Sequence, residues 1–128
     1  MNTWSDSELD RIGQAEELHV ASRRRDGTLS PYVTIWGVRS GDDIYIRSAY
    51  GPDNAWFRSA KTRGTGRIRA GGIERDVRFV DPPTGLHPSI DAAYHAKYDR
   101  YGPRIVGSVV GPQAATVTLK VDPANDGN

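Results

Sequence analysis

The 128-residue sequence predicts an α+β domain built around an antiparallel sheet, and three observations carry that expectation. Strand patterns come in pairs joined by glycine turns at Gly41-Asp42 and Gly71-Gly72, and connections that short join antiparallel neighbours. Helical patterns fall between strand pairs rather than after single strands, which is not the arrangement of a parallel sheet. Residues 31–80 hold both hairpins, one short aromatic helix and more arginine than a hairpin needs. That stretch reads as half of a small barrel with an anion site nearby.

Composition bounds the rest. The length fits one domain, assigned to residues 1–122, followed by a small polar tail over 123–128 that is expected to be disordered. With 17 Lys+Arg against 16 Asp+Glu the net charge is +1, too even to indicate nucleic acid or a membrane surface as partner. Cysteine is absent, which rules out disulfides, thiolate nucleophiles and cysteine-ligated metals and suits a reducing cytosol. The start, Met-Asn-Thr-Trp-Ser-Asp, has neither a cationic segment nor an apolar run, and nothing later approaches the ~20 apolar residues of a membrane span. A cytoplasmic protein is expected.

Ser5 and Glu8 form a capping box, Leu9 and Ile12 give the helix that follows an apolar face, and Trp4 occupies the staple position. Residues 18–22 alternate as a strand. Arg23-Arg24-Arg25-Asp26-Gly27 makes a charged turn before the apolar run from Tyr32 to Val38, read as one strand. A turn at Gly41-Asp42 sets Val38 opposite Tyr45 and Trp36 opposite Arg47, with Val33, Ile35, Ile44 and Ile46 on the other face. One face is expected to be core and the other mixed. Trp56, Phe57 and Ala60 mark a helix over 54–62. The turn at Gly71-Gly72 pairs Ala70 with Ile73, Arg69 with Glu74, Ile68 with Arg75 and Arg67 with Asp76. A helix is predicted over 88–101, with Ile90, Ala93, Tyr94, Lys97, Tyr98 and Tyr101 on one stripe, and a final strand over 115–121. The sum is six strands with short helices between strand pairs.

Three segments then carry a resemblance: Asp43-Ile44-Tyr45-Ile46-Arg47-Ser48-Ala49, Trp56-Phe57-Arg58-Ser59-Ala60 and Gly66-Arg67-Ile68-Arg69-Ala70. Together they resemble the middle of the FMN-binding split barrels, the pyridoxamine phosphate oxidase-like proteins and the flavin- and deazaflavin-dependent, nitroreductase-like oxidoreductases. The whole chain, with Ala93-Tyr94-His95-Ala96-Lys97-Tyr98 and Thr118-Leu119, is similar to an uncharacterised bacterial family placed beside those barrels. The resemblance implies a six-stranded antiparallel split β-barrel, a homodimer, and FMN or a deazaflavin coenzyme bound at the subunit boundary. Its phosphate would be held by basic and hydroxyl side chains. It also implies hydride transfer to a small organic acceptor, with the cofactor carrying the redox step. A non-redox enzyme, or an anion- or small-molecule-binding module on the same scaffold, stands as the alternative.

Arg47-Ser48, at a strand end before a turn and a helix, suits an anion, because guanidinium forks and hydroxyls match phosphate oxygens and a helix start adds backbone donors. Stacking of Arg47 on Trp36 is the competing role. Arg58 and Lys61 project from the adjacent helix, and Arg25 from the charged turn, as phosphate contacts or as solvated surface. Trp36, Tyr45 and Trp56 supply a flat wall for an isoalloxazine, or pack as core or dimer contact. Tyr94 and Tyr98, with His95 beside them, are the candidates for proton transfer, against plain packing of the stripe. His95 stands four residues from both Asp91 and Asp99, a row that also occurs on solvated helix faces, and no metal is assigned. Arg67 and Arg69 have partners already in Asp76 and Glu74.

Overall fold

The computed structural model describes residues 3–49 and 51–124. In chain order the elements are α1 (Asp6–Gln14), β1 (Leu18–Ser22), β2 (Val33–Ile35), β3 (Gly37–Ser40), β4 (Asp43–Arg47), α2 (Ala55–Arg63), β5 (Thr65–Ala70), β6 (Ile73–Val80), α3 (His87–Tyr98), α4 (Pro103–Val106), α5 (Pro112–Ala115) and β7 (Thr118–Pro123). One sheet holds all seven strands in the order β2-β1-β5-β6-β7-β4-β3, every pairing antiparallel. Its two edges, β2 and β3, are consecutive in sequence, with only Trp36 between them. The sheet therefore curls into a nearly closed barrel whose seam lies at Trp36.

This corrects the expected six strands. The run 32–38 is not one strand, because Val33–Ile35 pairs with β1 while Gly37–Ser40 pairs with β4 at the opposite edge. The chain must turn between the two partners, and glycine follows the turn. A Cβ at Gly37 would stand 2.9 Å from Leu18 Cδ1.

Local chemistry explains the remaining elements. The Ser5–Glu8 capping box starts α1, and Trp4 Nε1 donates to the Val121 carbonyl at 2.9 Å, tying the helix to β7. Gly64, at φ 74°, ends α2 in the left-handed conformation. The β5–β6 register is the one the Gly71-Gly72 turn predicts at all four pairs. Gly66 marks a close approach, since a Cβ there would lie 2.0 Å from the Ala21 carbonyl oxygen.

Apolar side chains form two clusters. The first fills the barrel and is closed by Leu9 and Ile12 of α1 and Trp56 and Phe57 of α2. The second lies outside it, where Ile90, Tyr94 and Tyr98 of α3 cover Val38 and Tyr45. Both faces of the β3–β4 hairpin are therefore buried, and the expected mixed face is a second core. Val33, expected with the core, is 39% exposed on the edge strand. The predicted helix over 88–101 starts at His87 and gives way after Tyr98 to a 3-10 turn, Asp99–Tyr101. The predicted strand over 115–121 becomes α5 followed by β7, which reaches Pro123, and Ala124 N donates to the Asp76 carbonyl. The rest of the expected tail, 125–128, lies outside the described residues.

Candidate functional site

The seam is held by side chains of α3. The Tyr94 hydroxyl donates to the Trp36 carbonyl at 2.9 Å, while Tyr98 (3.1 Å) and Lys97 Nζ (2.7 Å) both donate to the Gly37 carbonyl. Tyr98 also reaches the Glu16 carbonyl at 2.9 Å. A strand break leaves backbone groups in need of partners, and Tyr94, Lys97 and Tyr98, within about one turn of α3, supply them. Burial pushes both phenols well above the ordinary tyrosine range and pulls the Lys97 amine down to about 8.

These contacts fix a ring. The indole of Trp36 stacks on Tyr98 with centroids 4.1 Å apart and 7° between planes, and Tyr101 tilts against it at 5.3 Å. Trp36 in turn lines a cleft of about 560 Å³. β2 forms one side of it, Trp56 and Asn54 at the start of α2 another, and Arg104, Ile105, Ser108 and Val109 close it. The lining is mostly apolar, and the volume falls in the ordinary range for small-molecule sites, roughly 300–1,000 Å³.

Arg47 stands at the bottom of this cleft, fully buried and surrounded by acceptors. Its Nε donates to Thr118 Oγ1 at 2.8 Å, Nη1 to the Val109 carbonyl at 2.8 Å and to Asp91 Oδ1, and Nη2 to His87 Nδ1 at 3.4 Å. The Tyr94 ring lies beneath it, its centroid 5.5 Å from Cζ. Asp91 Oδ2 meanwhile accepts from Gly111 N at 3.3 Å. Arg47 thus ties β4, β7, α3 and the segment before α5 to one point. Its stacking partner is Tyr94, not Trp36.

The other sequence-predicted site residues divide. Trp36, Trp56 and Arg47 meet at the cleft. Tyr45 does not: it points from β4 into the second core, opposite Val38. The Ser48 hydroxyl donates to the Gly51 carbonyl at 2.7 Å and closes its own turn. Arg58 and Lys61 are exposed on the outward side of α2, Lys61 resting 5.9 Å from the Phe57 centroid, because Trp56, Phe57 and Ala60 take the inward face. Arg25 is exposed at the tip of its turn. His95 is also exposed and pairs with Asp99 at 2.7 Å, whereas Asp91 turns inward to Arg47, so the supposed row is split across the helix. Tyr94 and Tyr98 face backbone carbonyls, away from the cleft lining.

Two roles escaped the sequence reading, which weighed Asp91 only as a neighbour of His95 and did not single out Arg104. Asp91 sits three positions before Tyr94 and seven before Tyr98, which places a carboxylate on the packed stripe; that spacing was the signal. Arg104, between Pro103 and the apolar Ile105 and Val106, carried no comparable sign.

A nearly closed antiparallel barrel with a ligand-sized apolar cleft beside its seam defines a split-barrel protein. The family can also be given: residues 8–121 match the family described as "Uncharacterized protein conserved in bacteria (DUF2255)", and the chain belongs to it. No curated protein matches the chain in sequence. Among solved structures, an F420 reductase superposes with a TM-score of 0.55 at 16% identity, over 95% of this chain and 97% of that one. An FAD-binding protein from Mesorhizobium loti gives 0.50 at 17%, over 94% and 89%. A protein of unknown function from Agrobacterium tumefaciens gives 0.59 at 13% over 97% of this chain, which spans 56% of that protein. At these identities the likeness is one of fold.

Proposed function

We propose that the cleft between Trp36 and Trp56 binds a flavin or deazaflavin coenzyme and that the protein uses it to transfer hydride to a small organic acceptor. The observation that carries this reading is a mostly apolar cleft of about 560 Å³ with two indoles in its walls, on a fold shared with an F420 reductase and an FAD-binding protein. The residues suit such a group. A tricyclic ring gains most from flat aromatic surfaces, and Trp36 is already held rigid by Tyr98, so little ordering entropy remains to be lost on binding.

When bound, the reduced coenzyme would supply a hydride, one proton with two electrons, to an electrophilic atom of the acceptor. The chain's part is to hold the ring, keep water from it, and leave one face open. Neither Tyr94 nor Tyr98 acts as the acid in this scheme, since both hydroxyls donate to carbonyls within the protein. The proton that completes the reduction comes from solvent. A second copy of the chain covers the open side, where Val33 and Ile105 are 39% and 49% exposed, giving a homodimer of the bacterial cytosol.

A binding module without turnover is the second reading, favoured by the lack of an acid or base with a free proton-transfer atom among the cleft residues described. Titration with FMN, FAD and the deazaflavin coenzyme, followed by tryptophan quenching and light scattering, separates these readings. Saturable binding of one coenzyme to a dimer, with reoxidation of its reduced form by a nitroaromatic acceptor, supports the reductase. Binding without reoxidation by any acceptor supports the module, and no binding removes the coenzyme.

A further inference from the structure

The cleft has only two cations in its described lining, and they are not equivalent. Arg47 is fully buried, with Thr118, Asp91, Val109 and His87 around its guanidinium, so an incoming anion would have to displace those partners. Arg104 is exposed on α4 and has no hydrogen-bond, ion-pair or ring partner among the described residues. Other arginines whose side chains reach neighbouring elements are engaged: Arg23 and Arg67 with Asp76, Arg39 with Asp10, Arg69 with Glu74, Arg100 with Glu16. A free guanidinium at the mouth of an apolar, indole-walled cleft offers one strong, directional contact, and its chemistry selects a carboxylate or phosphate. The Ser108 hydroxyl, on the same segment and also in the lining, already donates to the Ile105 carbonyl at 2.7 Å, so the anion contact falls to Arg104.

We infer that Arg104 is the anion-reading residue of the cleft, and that the natural ligand is a planar aromatic molecule bearing an anionic group about one side chain's reach from its ring. This rests on the ring-binding reading above but not on the ring being a flavin. The anion comes either from a coenzyme's own phosphate or from a second, acidic ring compound. The chemistry is the same in both cases. It also relocates the anion site, from the Arg47-Ser48 pair that the sequence indicates to a segment with no motif.

The test uses two matched pairs of probes, FMN against riboflavin and 2-naphthyl phosphate against 2-naphthol, titrated into wild type, Arg104→Ala and Arg104→Lys by tryptophan fluorescence. Because Arg104 is exposed and unpartnered, these variants should fold as wild type, which circular dichroism checks. The phosphorylated member of a pair should bind about tenfold tighter than its neutral partner, with a preference that weakens in salt. Arg104→Ala should abolish that preference and leave the neutral probe unchanged, while Arg104→Lys should keep part of it. A preference in both pairs assigns the anion to the coenzyme. A preference in the naphthyl pair with no flavin binding removes the coenzyme and keeps Arg104, with the anion then belonging to another ring compound. Equal binding within both pairs, or a preference that survives Arg104→Ala, overturns the inference while leaving the ring site standing. Failure of all four probes to bind overturns both.

Discussion

Arg47 shows how a residue can carry the composition of a binding site and hold a structural post. Its side chain is 0% exposed whereas that of its partner Asp91 is 31% exposed, and the asymmetry makes a prediction. Arg47→Met replaces a buried cation with an apolar chain and leaves a carboxylate that water can reach. Asp91→Ala leaves the cation in place without its counter-charge. Breaking a buried pair costs about 3–5 kcal/mol, so Asp91→Ala should fall near the top of that span and Arg47→Met clearly below it. Urea unfolding of the two variants measures the difference, and equal losses would mean that Thr118 and the Val109 carbonyl, not Asp91, carry the interaction. Ligand affinity of the folded Arg47→Met protein should stay within a few-fold of wild type, which a phosphate-binding role for Arg47 does not allow.

Among the elements, α3 does the work that a strand does elsewhere. Where β2 ends and β3 begins the edge ladder is interrupted, and Tyr94, Lys97 and Tyr98 deliver donors to the Trp36 and Gly37 carbonyls from the helix. The same residues hold the Trp36 ring against Tyr98, so closure of the barrel and shape of the cleft share one set of contacts. On the other side of the barrel, close approach governs. At Gly66 a methyl would meet the Ala21 carbonyl oxygen at 2.0 Å and the Phe79 ring at 2.8 Å, and β1, β5 and β6 cannot all yield. Gly66→Ala should therefore destabilise the protein by about 2–3 kcal/mol, despite alanine's better backbone entropy. A melting temperature equal to that of wild type would show that the strands can part there.

At the scale of the whole molecule, the buried α3 groups make stability depend on alkaline pH. The Lys97 amine is held near about 8 in the folded protein against 10.5 when free, so between those values the unfolded chain binds more protons and folding strengthens as pH rises. Tyr94 and Tyr98 act in the opposite sense. Their folded values lie above the ordinary 10.0, so their contribution is complete below that pH and is lost as pH climbs beyond it. Unfolding free energy should peak near about pH 10 and fall above it, and Lys97→Met should flatten the rising limb alone. Denaturant titrations across that range provide the check. Among the described residues, no helix is long and apolar enough to cross a membrane. The sequence by itself determined the capping box of α1, the β5–β6 register with its Arg67–Asp76 and Arg69–Glu74 pairs, and the buried stripe of α3, because each follows from spacing within a few residues or from one turn. Tertiary structure alone decided that the run through Trp36 serves both barrel edges, that Arg47 faces Asp91 from 44 positions away, and that Arg104 stands at the cleft. Those outcomes depend on which strands meet when the sheet closes, and no local pattern of side chains encodes the partner at the far edge.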